Sequence, residues 1–308
     1  MRGQKTLFTP KGVIPALVTP LDADGELMEE ALRKVIDFTI AGGVHGIFVL
    51  GSSGEIYGLD DAQKRRVVEI SAEHVNGRVP LYAGASEITT RDVIKTARMV
   101  QSIGGVSALS VLTPYFMTPT QSELIEHFTA IAASTDLPIL LYGNESKTHL
   151  RITVETNLAL NAIDNIVGIK DSSGDMSLMI DYIRTAPDGF TVLAGRDTLI
   201  YAGLCHGAAG AIASTANIVP GLVSEIYNAF ARGDLKRSLE LQFALAPLRK
   251  VLDAATFPVV LKEGLRLVGV DAGVCLAPAH ELGPEKREQL ACVIADIGRL
   301  PGLAAGKE

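Results

Sequence analysis

The sequence has little of what marks several common classes of protein. It holds 28 lysine and arginine residues against 35 aspartate and glutamate residues, and its basic residues form no cluster, which argues against a nucleic-acid phosphate surface. No uninterrupted apolar run approaches the ~20 residues that span a membrane, and the first residues lack the apolar core of a signal peptide. We therefore predict a soluble protein with neither a nucleic acid nor a membrane as partner.

Cysteine and clustered histidine are also scarce. The three cysteines, Cys205, Cys275 and Cys292, are odd in number and widely spaced, which fits neither a disulfide framework nor a zinc site. This usage favours a reducing, cytoplasmic location. Because the six histidines show no ligand spacing, we predict that the activity needs no metal and no cofactor.

What the sequence does contain is a regular alternation of short apolar segments with amphipathic ones. Nearly all-apolar strands that alternate with helices are typical of a parallel sheet covered on both sides. Eight such strand–helix units fit into about 230 residues, which is the count of a closed (β/α)8 TIM barrel of the α/β class. The predicted strands are 12–19, 45–50, 79–83, 108–112, 137–142, 166–169, 190–194 and 209–213.

An open doubly wound sheet is the alternative to the barrel. Such a sheet would carry a glycine fingerprint after its first strand, and residues 18–21 (VTPL) do not provide one. Beyond residue 233 the pattern changes to helices with no strand between them. We therefore predict a catalytic barrel over residues 1–233 and a C-terminal helical extension over residues 234–308 that packs on it.

One predicted strand ends in a lysine, at residues 166–171 (IVGIKD). Reactive groups of such barrels lie at the C-terminal ends of the strands, and lysine is rarely fully buried. The ordinary explanation is a partly exposed ammonium group, or an ion pair between Lys170 and Asp171. The alternative is an amine among apolar groups, which disfavour its charged form and make the nucleophilic form accessible.

Two further strand ends suit carbonyl chemistry. A neutral lysine condenses with a ketone to a Schiff base, and the hydroxyl of Tyr142, which ends the preceding strand, can supply the proton transfers. The loop 51–55 (GSSGE) presents N–H groups and hydroxyls that can hold a small carboxylate. Taken alone, Tyr142 could be a packing residue and the loop 51–55 a simple turn. Their joint placement on one rim favours the chemical interpretation.

The chain resembles the superfamily of dihydrodipicolinate synthases and N-acetylneuraminate lyases, which are Schiff-base-forming barrels. The resemblance rests on ordered motifs: 51–55 for G-[ST]-x-G-E, 113–115 (TPY), Tyr142 after the apolar 137–141, 168–171 (GIKD) and 207–212 (GAAGAI). It implies that Lys170 forms an imine with pyruvate or another 2-oxo acid and that Tyr142 and Ser52 take part in proton transfer. It also implies a homo-oligomer, commonly a tetramer. It implies that Ser52, Ser53 and the Ile212 carbonyl bind the substrate, and we add Tyr115, Lys147, Gly195 and Asp197 as candidate binding residues.

The chain departs from the synthases at two positions. Synthases show Y-N-x-P-x-R-T after the tyrosine, whereas residues 142–148 (YGNESKT) lack the proline and the arginine, and Lys147 offers only a point charge. The second tyrosine of T-P-Y-Y, which synthases offer across a subunit interface, is Phe116, which cannot pass a proton. We also expect Glu145, unless it pairs with Lys147, to repel a dicarboxylate co-substrate.

These features together predict a Schiff-base lyase, an aldolase or dehydratase that acts on a 2-oxo-3-deoxy sugar acid or a related 2-oxo acid. The alternative within the family is dihydrodipicolinate synthase itself, which condenses pyruvate with aspartate semialdehyde. The alternative of another class is a non-catalytic protein that binds a 2-oxo acid.

Overall fold

The computed structural model describes residues 8–301 and shows one parallel sheet of eight strands among them. The strands follow one another around the sheet in chain order, and β8 pairs with β1, so that Gly210 lies opposite Gly12. The Leu17 N–H donates to the Phe48 carbonyl at 2.8 Å and joins the first strand to the second. This closes the ring and confirms the (β/α)8 barrel. The strands are β1 (Gly12–Pro15), β2 (Ile47–Val49), β3 (Leu81–Gly84), β4 (Ala108–Leu112), β5 (Ile139–Gly143), β6 (Ile166–Asp171), β7 (Thr191–Ala194) and β8 (Gly210–Ala213).

The helices begin where the sequence supplies capping residues. At the start of the second helix the Asp60 carboxylate accepts from the Gln63 N–H at 2.8 Å, and the Gln63 side chain returns the bond, which forms a capping box. The helices are α1 (Glu29–Ala41), α2 (Asp61–Val75), α3 (Thr90–Ile103), α4 (Gln121–Ala132), α5 (Glu145–Thr148), α6 (Val154–Asn161), α7 (Met176–Thr185), α8 (Ile200–Cys205), α9 (Pro220–Ala231), α10 (Leu235–Val251), α11 (Val259–Leu267) and α12 (Pro284–Gly298).

Alternation along the strands decides which side chains enter the barrel. Ile169 on β6 belongs to the large apolar layer between the sheet and the helices. Successive side chains of a strand point to opposite faces, so the next residue, Lys170, points inward. Lys170 pairs in register with Tyr142 on β5. The two side chains therefore lie side by side above the apolar filling of the barrel, which includes Phe48 and Ile212.

The C-terminal helices lie against the barrel rather than apart from it. Gly233 takes a left-handed φ of 83° after α9, and the Asp234 carboxylate then accepts from the Arg237 N–H at 3.0 Å and caps α10. This turn coincides with the predicted boundary at residues 233 and 234. The division into two domains stays a prediction, and residues 1–7 and 302–308 of those two parts lie outside the described range. In the part of the chain that is described, no helix combines the length and the apolar character needed to cross a membrane.

Candidate active site

A cavity of about 480 Å³ opens at the C-terminal ends of the strands. It brings together residues that are far apart in the sequence, because parallel strands of a barrel end on the same rim. The predicted site residues that line it are Ser52, Ser53, Tyr142, Lys147, Lys170, Gly195, Asp197 and Ile212.

Lys170 lies at the bottom of this cavity. Its side chain is 5% exposed, and its Nζ lies 3.9 Å from the centroid of the Tyr142 ring and 5.5 Å from that of Phe48. Asp171 follows on the other face of β6, where its Oδ1 accepts from the Ser173 N–H at 2.9 Å. The structure thus contradicts both ordinary explanations, the exposed ammonium group and the ion pair with Asp171. It places a buried amine next to an open volume.

Tyr142 is held by its neighbours in a state that favours loss of its proton. Burial raises the pKa of the Tyr142 hydroxyl, but the positive charge of Lys170 and hydrogen bonds from Ser52, Asn144 and Lys170 outweigh burial, so the pKa lies below its ordinary value. The Asn144 side-chain amide donates to the hydroxyl at 3.0 Å. A tyrosine with a lowered pKa exchanges its proton nearer to neutral pH, as acid–base catalysis requires.

The loop 51–55 is packed tightly against the rim. The Thr19 hydroxyl donates to the Gly54 carbonyl at 2.7 Å, and a Cβ on Gly54 would lie only 3.1 Å from the Leu17 carbonyl oxygen. A larger residue there would require the loop or its neighbours to shift slightly. The loop presents Ser52 and the buried Ser53 to the cavity. Their binding of a substrate carboxylate stays a prediction.

The loops after β7 and β8 form another part of the wall. A Cβ on Gly195 would lie 2.0 Å from the Ser172 Oγ, so only glycine leaves Ser172 its place at the cavity. The Asp197 carboxylate accepts from the Thr215 N–H at 2.7 Å and from the Ser214 hydroxyl at 3.2 Å. Asp197 therefore fixes the loop after β8, and its contact with a substrate stays a prediction.

The structure gives Tyr115 and Glu145 surroundings that the sequence did not define, and the binding role of Tyr115 stays a prediction. Tyr115 is absent from the cavity lining, and burial together with the nearby Glu87 carboxylate raises its pKa. Glu145 pairs with Arg151 at 2.7 Å, not with Lys147. The alternative pair of Glu145 with Lys147 is not formed, because Arg151, in the segment after α5, reaches Glu145 instead. This pairing weakens the repulsion that we expected Glu145 to exert on a dicarboxylate.

The structure adds cavity residues that the sequence did not single out. Arg249, Asp253 and Thr256 come from the end of α10 and the loop after it. The Arg249 guanidinium donates to the Asp253 carboxylate at 3.1 Å. The only sequence signal in this segment was helical periodicity, which does not tell which turn faces a cavity. Ser172 and Asn144 lie beside predicted residues in the sequence, but no motif pointed to either of them.

The described residues, 8–301, contain no group of three or more histidine, cysteine, aspartate or glutamate side chains that could hold a metal ion. That the activity needs no metal stays a prediction.

Comparison with known proteins identifies the family. Residues 9–297 match the model of the dihydrodipicolinate synthetase family. The 4-hydroxy-tetrahydrodipicolinate synthase of Methanopyrus kandleri is 37% identical over 96% of this chain and 98% of its own. The crystal structure of dihydrodipicolinate synthase from Aquifex aeolicus aligns with a TM-score of 0.90 at 31% identity, over 94% of this chain and 98% of its own.

Another solved structure that is similar to this chain contains pyruvate. It is a prophage protein of E. coli K12 that belongs to the dihydrodipicolinic acid synthase family, in complex with pyruvate, and it aligns with a TM-score of 0.89 at 29% identity, over 93% of this chain and 98% of its own. The predicted enzyme class, a Schiff-base lyase, is confirmed by this set of relatives. The chain belongs to the dihydrodipicolinate synthetase family.

Proposed function

We propose that this protein binds a pyruvate-type 2-oxo acid covalently on Lys170 and makes or breaks a bond at the neighbouring carbon. The observation that carries the proposal is the Lys170 amine, 5% exposed, at the bottom of a 480 Å³ cavity and beside a tyrosine of lowered pKa. A buried amine that faces an open volume and a proton-transfer group is the arrangement that Schiff-base chemistry needs.

Lys170 and Tyr142 carry out different steps of this proposed reaction. The Lys170 amine adds to the C2 carbonyl of the acid, and water leaves to give an iminium, which withdraws electrons from C3. Loss of a C3 proton gives an enamine that attacks an aldehyde carbon, and the reverse sequence cleaves the same bond. The Tyr142 hydroxyl, supported by Ser52 and Asn144, transfers the protons. Ser53 and the Ile212 carbonyl orient the acid.

The acceptor we favour is the aldehyde half of a 2-oxo-3-deoxy sugar acid. Ser172 lines the cavity, and its buried Oγ has no hydrogen-bond partner among residues 8–301. Buried hydroxyls are normally hydrogen-bonded, so this one favours a ligand that carries hydroxyl groups. Phe116 also lacks the hydroxyl that the synthases use in their proton relay.

A second candidate is 4-hydroxy-tetrahydrodipicolinate synthase, the activity named for the Methanopyrus kandleri relative. Lys147, Arg196 and Arg249 line the outer part of the cavity. Their charges favour a carboxylate on the second substrate, such as that of aspartate semialdehyde. The pairing of Glu145 with Arg151 weakens the repulsion of such a carboxylate by this residue.

Trapping the imine tests the proposal. The protein is incubated with pyruvate and sodium borohydride, and its intact mass is measured beside that of Lys170→Ala. We expect one reduced pyruvate adduct on the unmodified protein and none on the variant. A binding protein without imine chemistry would give no adduct and would keep its ligand response in the variant, which would contradict the proposal.

Turnover assays then separate the two acceptors. Cleavage of 2-oxo-3-deoxy sugar acids and condensation of pyruvate with aspartate semialdehyde are measured on the same preparation. A higher kcat/KM for sugar-acid cleavage supports the first candidate. A higher kcat/KM for condensation contradicts it and supports the second.

We further propose a cytoplasmic, metal-independent homo-oligomer, a tetramer by family resemblance. Phe116 is 98% exposed and takes a left-handed φ of 73°, which suits a side chain offered to a second copy. The cysteines are all free, in keeping with a reducing compartment. Light scattering measures the oligomer, and activity that survives EDTA supports independence from metals.

A further inference from the structure

A buried lysine outside the cavity joins the loop 51–55 to the C-terminal helices. Lys262 on α11 lies 2.7 Å from the Oε1 of Glu55, the last residue of the loop 51–55, and the two side chains are 3% and 1% exposed. Burial of two charges is unfavourable unless further hydrogen bonds satisfy them. The ion pair between Glu55 and Lys262 therefore needs an explanation, and it lies at the loop that carries Ser52 and Ser53.

Both charges are completed by the chain that follows α11. The second oxygen of Glu55, Oε2, accepts from the Leu276 N–H at 2.9 Å, and Lys262 donates to the Val274 carbonyl. Neither Glu55 nor Lys262 lines the 480 Å³ cavity. The pair can therefore act on a substrate only through the loop that it holds.

The backbone of that loop depends on where Glu55 is held. Glu55 takes a left-handed φ of 54°, which is unfavourable for a residue with a side chain. Its N–H donates back to the Ser52 carbonyl at 3.3 Å, so the two residues close one turn. Ser52 of the same turn lines the cavity together with Tyr142, and it is one of the groups that lower the pKa of the Tyr142 hydroxyl. A shift of Glu55 would therefore also move Ser52 relative to Tyr142.

We infer that Glu55 and Lys262 are positioning residues, whose ion pair fixes the loop 51–55 so that Ser52 reaches Tyr142 and Ser53 reaches the substrate carboxylate. The inference rests on the proposed function, in which Lys170 forms the imine. It makes α11 part of the catalytic apparatus although no residue of α11 touches the cavity.

The test measures how imine formation depends on pyruvate concentration in Glu55→Gln, which removes the charge and keeps the size. The reaction is quenched with borohydride at set times and the adduct is counted by intact mass. We expect half-maximal trapping to need about 10- to 100-fold more pyruvate, the scale of a misplacement of about 1 Å. At saturating pyruvate the same single adduct forms, because Lys170 is unchanged.

Glu263→Gln is the matched control. Glu263 is the next residue on α11, is also buried, and pairs with Arg266 at 2.8 Å and with Arg287 at 2.5 Å, away from the loop 51–55. We expect this variant to lower the melting temperature without changing the pyruvate concentration for half-maximal trapping. Lys262→Met removes the same contact as Glu55→Gln from the other side and should weaken trapping in the same way.

The outcomes are distinct. An adduct that forms in Glu55→Gln and Lys262→Met at the same pyruvate concentration as in the unmodified protein overturns the inference alone. An equal weakening in Glu263→Gln also overturns it, because the effect would then be one of general stability. No adduct on the unmodified protein overturns the proposed function together with the inference.

Discussion

Lys170 and Lys262 are both almost completely buried, yet their surroundings differ. Lys170 faces a cavity of about 480 Å³ and has the rings of Tyr142 and Phe48 as its neighbours. Lys262 has a carboxylate at 2.7 Å, a backbone carbonyl as second acceptor, and only about 40 Å³ of free volume beside it. That volume is about a twelfth of the cavity at Lys170.

The comparison shows that burial alone does not mark a nucleophile. Lysine is rare in protein interiors, and either residue would attract attention by its burial. The two lysines differ in what their amines contact. The amine of Lys262 is bound by fixed acceptors, whereas that of Lys170 faces a volume that can admit a substrate carbonyl group. Four measurements on lysine variants test that distinction.

The largest difference is expected in covalent chemistry. Lys170→Met should give no adduct with pyruvate and borohydride, and its turnover should fall by more than about 10³-fold, as for the loss of other covalent nucleophiles. Lys262→Met should still form the adduct at saturating pyruvate. Intact mass measures both, with circular dichroism as the control for folding. An adduct on the Lys170 variant would remove the distinction.

Stability should respond in the opposite way. Lys262→Met leaves the Glu55 carboxylate buried without its partner, and we expect a loss of about 3–5 kcal/mol in the free energy of unfolding. Lys170→Met strands no carboxylate and should change it by less than about 1 kcal/mol. Urea unfolding at equal protein concentration measures both. Equal losses would mean that the two lysines are held in the same way.

The charge of Lys170 should also be visible in the titration of Tyr142. This charge lowers the pKa of Tyr142 against the effect of burial. Lys170→Met should therefore raise the pH at which the tyrosinate of Tyr142 forms, because burial then acts with less opposition. Absorbance near 295 nm follows the ionisation, and Tyr142→Phe identifies its signal. Glu263→Gln should leave the signal in place, and an unchanged signal in Lys170→Met would contradict the assignment.

The smallest effect is expected for an exposed lysine of the same cavity. Lys147 lies on α5 and lines the rim without burial. Lys147→Ala should change stability by less than about 0.5 kcal/mol and leave pyruvate trapping unchanged. The KM of the acceptor aldehyde should rise by less than about 10-fold, the scale of one exposed charge. Weaker pyruvate trapping would instead place Lys147 at the first substrate.

The chemical centre could be predicted from the sequence because its signals are local. Lys170 and Tyr142 each end a short apolar strand, and strand ends of a barrel share one rim. The barrel itself followed from the repeated strand–helix pattern, which needs no knowledge of distant contacts. Helix α10 begins directly after the predicted boundary at residues 233 and 234, where the acidic cap Asp234 is also a local feature.

The supporting contacts were missed because they join residues that the sequence does not relate. Lys262 lies in an ordinary helical pattern, and the sequence around it does not predict that its partner is Glu55. Arg249 and Thr256 line the cavity from the end of α10 and the loop after it, and helical periodicity does not define which residues there face the cavity. Glu145 has a cation two residues away and another six residues away, and the structure selects Arg151 by its reach.

The cavity wall made by residues 249–257 has a consequence for protein engineering. The imine-forming residues belong to the strands, whereas this segment belongs to a separate stretch near the end of the chain. Exchange of the segment between family members should therefore alter which aldehyde is accepted while the covalent step is conserved. A library confined to these positions could explore new acceptors without rebuilding the catalyst.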